Sequence, residues 1–166
     1  GSVSVKNDVD DGNRNHPGAS GSGPLTGKVP NPEKTFISGT QDKMKWRITI
    51  HVPAGGMKFF IKDQVRQASD NEDADGWNKW GWIDESSITV TDPGGKIDKT
   101  KIKYIQEKGE KCNYLFFGSK TFSGSDIESN KVNSEIEGTG VARDIIIEYE
   151  TFNKYQNAAG NDVSYK

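Results

Sequence analysis

Strict alternation of apolar and polar residues is clearest in the segment KMKWRITIHV, residues 43–52. Its apolar side chains fall on every second position, which predicts a β-strand with one buried face. Other runs rich in isoleucine, valine, threonine and aromatic residues are separated by glycine, asparagine, aspartate and serine, and each predicts another strand. No segment shows helical periodicity, so the pattern predicts an all-β fold, a two-sheet antiparallel sandwich. The other predicted strands of the body span residues 57–65, 82–92, 101–107, 113–122, 142–152 and 161–166.

Composition divides the chain into three parts. Residues 1–9 contain a short predicted strand, VSVKNDV. Residues 10–32 are glycine, serine, proline, asparagine and aspartate with almost nothing to bury, which predicts a flexible connector. Residues 33–166 hold the remaining strands and form the predicted sandwich domain. With 166 residues in all, the chain is long enough to bury one hydrophobic core.

Charge and cysteine content exclude several classes of protein. Lysine plus arginine number 22 and aspartate plus glutamate 24, so nucleic-acid binding is not indicated. No apolar stretch approaches the roughly 18 residues of a membrane span, so membrane insertion is not indicated either. The single cysteine, Cys112, excludes an intrachain disulfide. The two histidines, His16 and His51, have no nucleophile patterned beside them. The protein is therefore not expected to be an enzyme that turns over an external substrate.

Three motifs follow one another along the body: KTFISGTQDKMKWRITIHVPAGGMKFFIKDQV, then WIDESSITVTD, then DIIIEYETFNKYQNAAGNDVSYK. In this order they resemble the immunoglobulin-like domains of Gram-positive cell-wall adhesins, the family that includes collagen- and fibrinogen-binding proteins. The resemblance implies an immunoglobulin-like sandwich from a secreted virulence protein that is anchored in the cell wall. It also implies a spontaneous isopeptide bond between a lysine and an asparagine.

In that reaction a buried lysine amine attacks the side-chain amide of an asparagine, a buried carboxylic acid assists, and ammonia leaves. An apolar core favours the neutral amine and the neutral acid that the reaction needs. The family pattern implies Lys34 as the lysine, with Lys28 as a second candidate, and Asp63 as the acid. Alternation independently puts Asp63 on the apolar face of its predicted strand, where a carboxylate without a partner is costly.

The asparagine of the family pattern falls just past Lys166. Asn7 fills this place, because VSVKN at residues 3–7 runs in step with VSYK at 163–166. We therefore expect the first strand to supply the asparagine, either to its own body or to a neighbouring chain by strand exchange. In the alternative, the first strand is the tail of a preceding domain. Two further candidates, in the turn before the last predicted strand and expected to be exposed, are Asn157 and Asn161.

An acidic loop before the third body strand is a candidate calcium site. Oxygen-bearing side chains stand at alternate positions before a glycine, as in the first half of a calcium-binding loop, at Asn71, Asp73 and Asp75. The bidentate glutamate that would complete the loop is absent, because Trp82 stands there. A solvated acidic loop is therefore the alternative to a calcium site.

The neighbouring segment GWNKWGW is a candidate ligand-binding surface, because three tryptophans occur close together: Trp77, Trp80 and Trp82. Exposed tryptophan rings could form a platform for sugars or an anchor for a protein ligand. In the alternative, Trp82 belongs to the following strand and to the core.

Two classes of function follow from these features. The first is a structural and ligand-binding domain of a surface adhesin, stabilised by the isopeptide bond and attached to host extracellular-matrix protein of the collagen or fibrinogen class. It requires no cofactor, and neighbouring domains of the same adhesin are expected partners. The second is a carbohydrate-binding module that uses the tryptophan loop, with calcium as its one candidate cofactor. A stalk domain without a ligand of its own is a further alternative.

Overall fold

The computed structural model describes residues 2–9, 19–22, 32–65, 81–118, 122, 126–156 and 161–164, and side chains within 32–65, 81–118, 122, 126–153 and 161. In chain order the elements are β1 (Ser2–Val9), β2 (Ala19–Ser22), β3 (Glu33–Gly39), β4 (Lys43–Val52), β5 (Gly56–Val65), β6 (Ile83–Thr91), a 3-10 turn (Lys99–Lys101), β7 (Ile102–Glu107), β8 (Cys112–Phe117), α1 (Ile127–Asn133), β9 (Glu135–Glu137), β10 (Arg143–Phe152), β11 (Lys154–Gln156) and β12 (Asp162–Ser164). Most of these elements are strands, as the alternation predicts.

Two sheets build the body of the protein. The smaller sheet has four antiparallel strands in the order β3, β4, β10 and β6. The larger sheet has the order β2, β1, β5, β8 and β7, and β9 pairs with one end of β5. A separate hairpin joins β11 to β12. The observed architecture agrees with the predicted all-β, two-sheet fold.

One hydrophobic core receives side chains from both sheets. On β4 the buried positions are every second residue from Met44 to Val52, as predicted. On β5 the buried face includes Phe59 and Ile61, and β8 contributes Leu115 and Phe117. Full burial of each such side chain stabilises the fold by roughly 1.5 to 3 kcal/mol relative to exposure.

A second, smaller cluster lies on the other face of β8. Tyr114 and Phe116 stack there, with ring centroids 5.5 Å apart, and Phe122 and Ile127 pack against the cluster. All six residues of β8 are consequently buried, including the free thiol of Cys112.

The structure departs from the sequence-based expectations in several places, and β3, β9 and β11 were not among the predicted strands. Ala19–Ser22 forms a strand against β1, within the segment predicted to be a flexible connector; residues 10–18 and 23–31 lie outside the described residues. The pairing of β1 with β5 is parallel, whereas an antiparallel sandwich was predicted. The helix α1 was not predicted, because its seven residues are too few to show helical periodicity.

Candidate functional site

A buried ion pair connects the two sheets. Lys34 lies on β3 of the smaller sheet, and Asp63 lies on β5 of the larger sheet. The Lys34 Nζ atom is 2.9 Å from the Asp63 Oδ1 atom, and both side chains have 0% exposed surface. Because burial of charges is costly, such a pair is maintained only by close mutual contact and further hydrogen bonds.

Aromatic rings surround the lysine amine. The Nζ atom lies 4.6 Å from the ring centroid of Trp46 and 5.9 Å from that of Tyr149. Trp46 on β4 and Tyr149 on β10 are directly opposite each other in the smaller sheet, which brings both rings to the same level of the core. The indole Nε1 donates to Thr151 Oγ1 at 2.9 Å and thereby fixes the tryptophan ring.

The second carboxylate oxygen of Asp63 is also occupied. The Tyr149 hydroxyl donates to Asp63 Oδ2 at 2.7 Å. Burial of the phenol raises the pKa of Tyr149 well above its usual value, and the adjacent Asp63 charge and hydrogen bond raise it further. The phenol therefore keeps its proton and remains a hydrogen-bond donor to Asp63.

The backbone of β1 brings the predicted asparagine position to the same site. In the parallel pairing of β1 with β5, Asn7 is in register with Asp63. Neighbouring strands of a sheet lie about 4.7 to 4.9 Å apart, so the two backbone positions are adjacent. The three residues named from the sequence, Lys34, Asp63 and Asn7, thus belong to one region of the fold.

A second asparagine flanks Asp63 on its other side and was not found by the sequence reasoning. Asn113 on β8 is in register with Asp63 and fully buried. Its Oδ1 accepts hydrogen bonds from the Ile83 amide at 3.1 Å and the Tyr104 hydroxyl at 2.6 Å. Its Nδ2 donates to the Gly81 carbonyl at 3.1 Å. These bonds fix the amide as a structural link between β8 and the start of β6.

Two sequence signals could have identified the additional polar residues of this site. Asn113 is a polar residue inside the otherwise apolar run CNYLFF, and such a residue in a buried strand needs partners. Tyr149 follows Ile145 and Ile147 on the alternating buried face of β10. Neither signal identifies the partner, because both partners lie on other strands.

The tryptophan and acidic-loop predictions are only partly within the described residues. Trp82 is buried, so its ring does not form an exposed platform; this agrees with the alternative that it belongs to the core, although the following strand begins one residue later, at Ile83. Asn161 is exposed, as expected. The positions that lie outside the described residues are Lys28, Asn71, Asp73, Asp75, Trp77, Trp80 and Asn157.

Within the described ranges, no group of three or more histidine, cysteine, aspartate and glutamate side chains is arranged to hold a metal ion. In the same part of the chain, no helix is long and apolar enough to cross a membrane.

The arrangement of Lys34 and Asp63 is suited to proton transfer between an amine and a carboxyl group. It holds an amine and a carboxyl in contact, out of water, beside a strand position occupied by an asparagine. A proton can pass within the Lys34–Asp63 pair to give a neutral nucleophile and a neutral acid.

No protein-family model matches the chain, and neither does any curated protein sequence or solved structure.

Proposed function

We propose that this chain is an immunoglobulin-like module of a bacterial surface adhesin that crosslinks itself through an isopeptide bond between Lys34 and Asn7. Asp63 is the assisting acid. The reaction occurs once per molecule and uses no external substrate or cofactor. In the intact adhesin, anchored at the cell surface, the crosslinked module carries load during attachment to host matrix protein of the collagen or fibrinogen class.

One observation carries the proposal. The Lys34 amine and the Asp63 carboxyl are 2.9 Å apart with no exposed surface, and the residue in register with Asp63 on β1 is an asparagine. A buried ion pair contributes little to stability compared with apolar residues of similar size. A chemical role gives a reason for a lysine in this core.

The proposed reaction replaces the primary amide of Asn7 with an amide to Lys34. The Lys34 ammonium gives one proton to Asp63, and the neutral amine attacks the Asn7 side-chain carbon. A bond forms between Lys34 Nζ and Asn7 Cγ, and the bond between Asn7 Cγ and Nδ2 breaks. The amide nitrogen leaves as ammonia with the second proton that the lysine gives up, relayed through Asp63. The product is a secondary amide, and Asp63 ends as a neutral carboxylic acid that holds the first proton of the lysine.

Intact mass under denaturing conditions tests the proposal. We expect the wild-type chain to be lighter than its sequence mass by one ammonia molecule, and peptide mapping to find Lys34 joined to Asn7. Asp63→Ala should have the full mass. Because loss of one member of a buried ion pair destabilises a fold by about 3 to 5 kcal/mol, the variant Lys34→Met/Asp63→Leu removes both charges and should also have the full mass.

Lys43→Met is the matched control. Lys43 also forms a contact with an aspartate, 2.7 Å from Asp84 Oδ2, but its side chain is 32% exposed. This variant should lose ammonia as the wild type does. A wild-type chain of full mass, migrating as a single species on a denaturing gel, would contradict the proposal. Covalent ladders on that gel would instead assign the first strand to a neighbouring chain.

The adhesin role needs a separate test. Binding of the purified protein to immobilised collagen and fibrinogen, compared with binding to glycans, measures it directly. Saturable binding to a matrix protein that survives Lys34→Met/Asp63→Leu would support a ligand site apart from the crosslink. Binding to glycans alone would favour the carbohydrate-binding alternative.

A further inference from the structure

We propose that the Tyr149 hydroxyl is a positioning group for the crosslinking reaction: it holds the Asp63 carboxyl so that Oδ1, rather than Oδ2, exchanges protons with Lys34. This inference rests on the proposed function and assigns a role to a residue that the resemblance does not assign.

The two oxygens of Asp63 have different partners. Tyr149 donates to Oδ2 at 2.7 Å, and Lys34 donates to Oδ1 at 2.9 Å. A carboxyl group with only one partner can rotate about its Cβ–Cγ bond and exchange its oxygens. With Oδ2 bonded to the phenol, the plane of the carboxyl is fixed, and Oδ1 stays directed at the amine.

Tyr149 is itself held rigidly. It is fully buried on β10, which lies between β4 and β6 in the smaller sheet. Its direct neighbour on β4 is Trp46, whose ring is fixed by the hydrogen bond to Thr151. Groups that must hold a reacting side chain within a fraction of an ångström act best from such rigid elements.

The different partners of the two Asp63 oxygens determine which oxygen carries the acid proton. A neutral carboxylic acid carries its proton on one oxygen, and an oxygen that already accepts a hydrogen bond from a phenol is the poorer place for it. The acid proton of Asp63 therefore resides on Oδ1. This is the oxygen that receives a proton from Lys34 and can return it to the leaving nitrogen.

A second, half-buried tyrosine provides a matched control. The Tyr104 hydroxyl donates to Asn113 Oδ1 at 2.6 Å, on the other side of Asp63 from β1. Burial raises the pKa of Tyr104 above its usual value, as it does for Tyr149. Tyr104→Phe and Tyr149→Phe each remove one hydrogen-bonded hydroxyl and keep the ring, but only the second removes a bond to the proposed acid.

The experiment follows the reaction during folding. Chains recovered unfolded from the insoluble fraction in guanidinium, and confirmed to have the full mass, are refolded by dilution at a series of pH values. Samples are quenched in acid, and the fraction that has lost ammonia is read by mass. Circular dichroism on the same time course separates folding from bond formation.

We expect Tyr149→Phe to fold but to form the bond about tenfold more slowly than the wild type or worse, the size of effect that misplacement of a reacting group produces. The pH profile of bond formation in Tyr149→Phe should differ from that of the wild type, because the Asp63 carboxyl loses the phenol hydrogen bond to Oδ2. Tyr104→Phe should keep the wild-type pH profile and lose at most about threefold in rate, because it leaves the reacting geometry intact.

Two results would overturn the inference while the proposed function stands. One is a Tyr149→Phe variant that reacts at the wild-type rate with the wild-type pH profile. The other is an equal loss of rate in both variants with unchanged pH profiles, which would mean that each hydroxyl contributes only packing. A wild-type chain that folds and never loses ammonia overturns the proposed function itself, and the inference with it.

Discussion

Several hydrogen bonds hold the buried ion pair between Asp92 and Arg143. The two side chains are 1% and 5% exposed, and Arg143 Nε and Nη2 donate to the two carboxylate oxygens at 2.6 and 3.1 Å. The carboxylate also accepts the backbone amides of Gly94, Lys96 and Ile97. Asp92 thereby orders the whole turn that follows β6.

This environment predicts a loss of stability in acid. Burial alone would raise the pKa of Asp92, but the bonds from Arg143 and the three amides outweigh it and lower the pKa from 3.8 to about 2. A lowered pKa in the folded state means that the stabilisation is present above pH 3.8 and is lost as the pH falls toward 2. The shift corresponds to about 2 kcal/mol at neutral pH.

Urea unfolding at pH 7, 4 and 3 measures the effect. Asp92→Asn should be less stable than the wild type at pH 7, and the difference should shrink as the pH falls. The control is Asp98→Asn in the same turn, whose carboxylate is fully exposed and therefore screened by solvent. An equal pH dependence in wild type and Asp92→Asn would contradict the assignment.

At the scale of elements, the turn between β4 and β5 and the loop between β9 and β10 touch backbone to backbone. A Cβ atom added at Gly138 would lie 2.3 Å from the Gly55 carbonyl carbon and 2.4 Å from the Ala54 oxygen. Gly140 donates its amide to the Ala54 carbonyl at 2.9 Å. Only glycine permits this approach, so the contact fixes how β9 joins the larger sheet.

We therefore expect Gly138→Ala to destabilise the fold by about 2 kcal/mol or more, because the clash is with backbone that has no room to move. Gly55→Ala is the matched control in the opposing turn, since a Cβ there meets nothing within 4 Å. Denaturant unfolding of the two variants makes the comparison. A Gly138→Ala variant as stable as Gly55→Ala would show that the loops separate readily.

Strand positions were more predictable from the sequence than strand partners. Alternation located β4 and β10 closely, because each has one face on the core and one toward solvent. It carries no information on which strand lies beside which, so the parallel pairing of β1 with β5 and the strand β2 were not foreseen. The helix α1 is capped by Asp126, the residue before it, whose side chain accepts from the Ser129 amide, and this capping signal is too short to stand out in the sequence.

In the candidate site, too, the position of a residue was more predictable from the sequence than its partners. Alternation alone put Asp63 on a buried face, and the structure agrees. Its contact with Lys34 was expected only through the family resemblance, because the two residues belong to different sheets. Tyr149 and Asn113 complete the polar surroundings of Asp63 from two further strands, and no local pattern in the sequence links them to it.

For the whole molecule, the proposed bond would connect the two sheets of the sandwich. Lys34 lies on β3, at an edge of the smaller sheet, and Asn7 lies on β1, next to β5 in the larger sheet. A covalent link between them opposes separation of the sheets under load. It also restricts the unfolded chain, which by analogy with a disulfide closing a loop of a few tens of residues stabilises the fold by on the order of 3 kcal/mol.

A crosslink within one chain makes the link between β1 and the body independent of the intervening peptide. We expect that a protease site introduced between residues 10 and 18 can be cut without release of the first strand. After cleavage and denaturation, the wild-type background should remain one species whose mass increases by one water molecule. The same cut in the Lys34→Met/Asp63→Leu background should release the N-terminal peptide, because hydrogen bonds between strands do not survive denaturant. Release of the peptide from the wild-type background would show that Asn7 is not bonded to its own body, whatever total mass the uncut chain has.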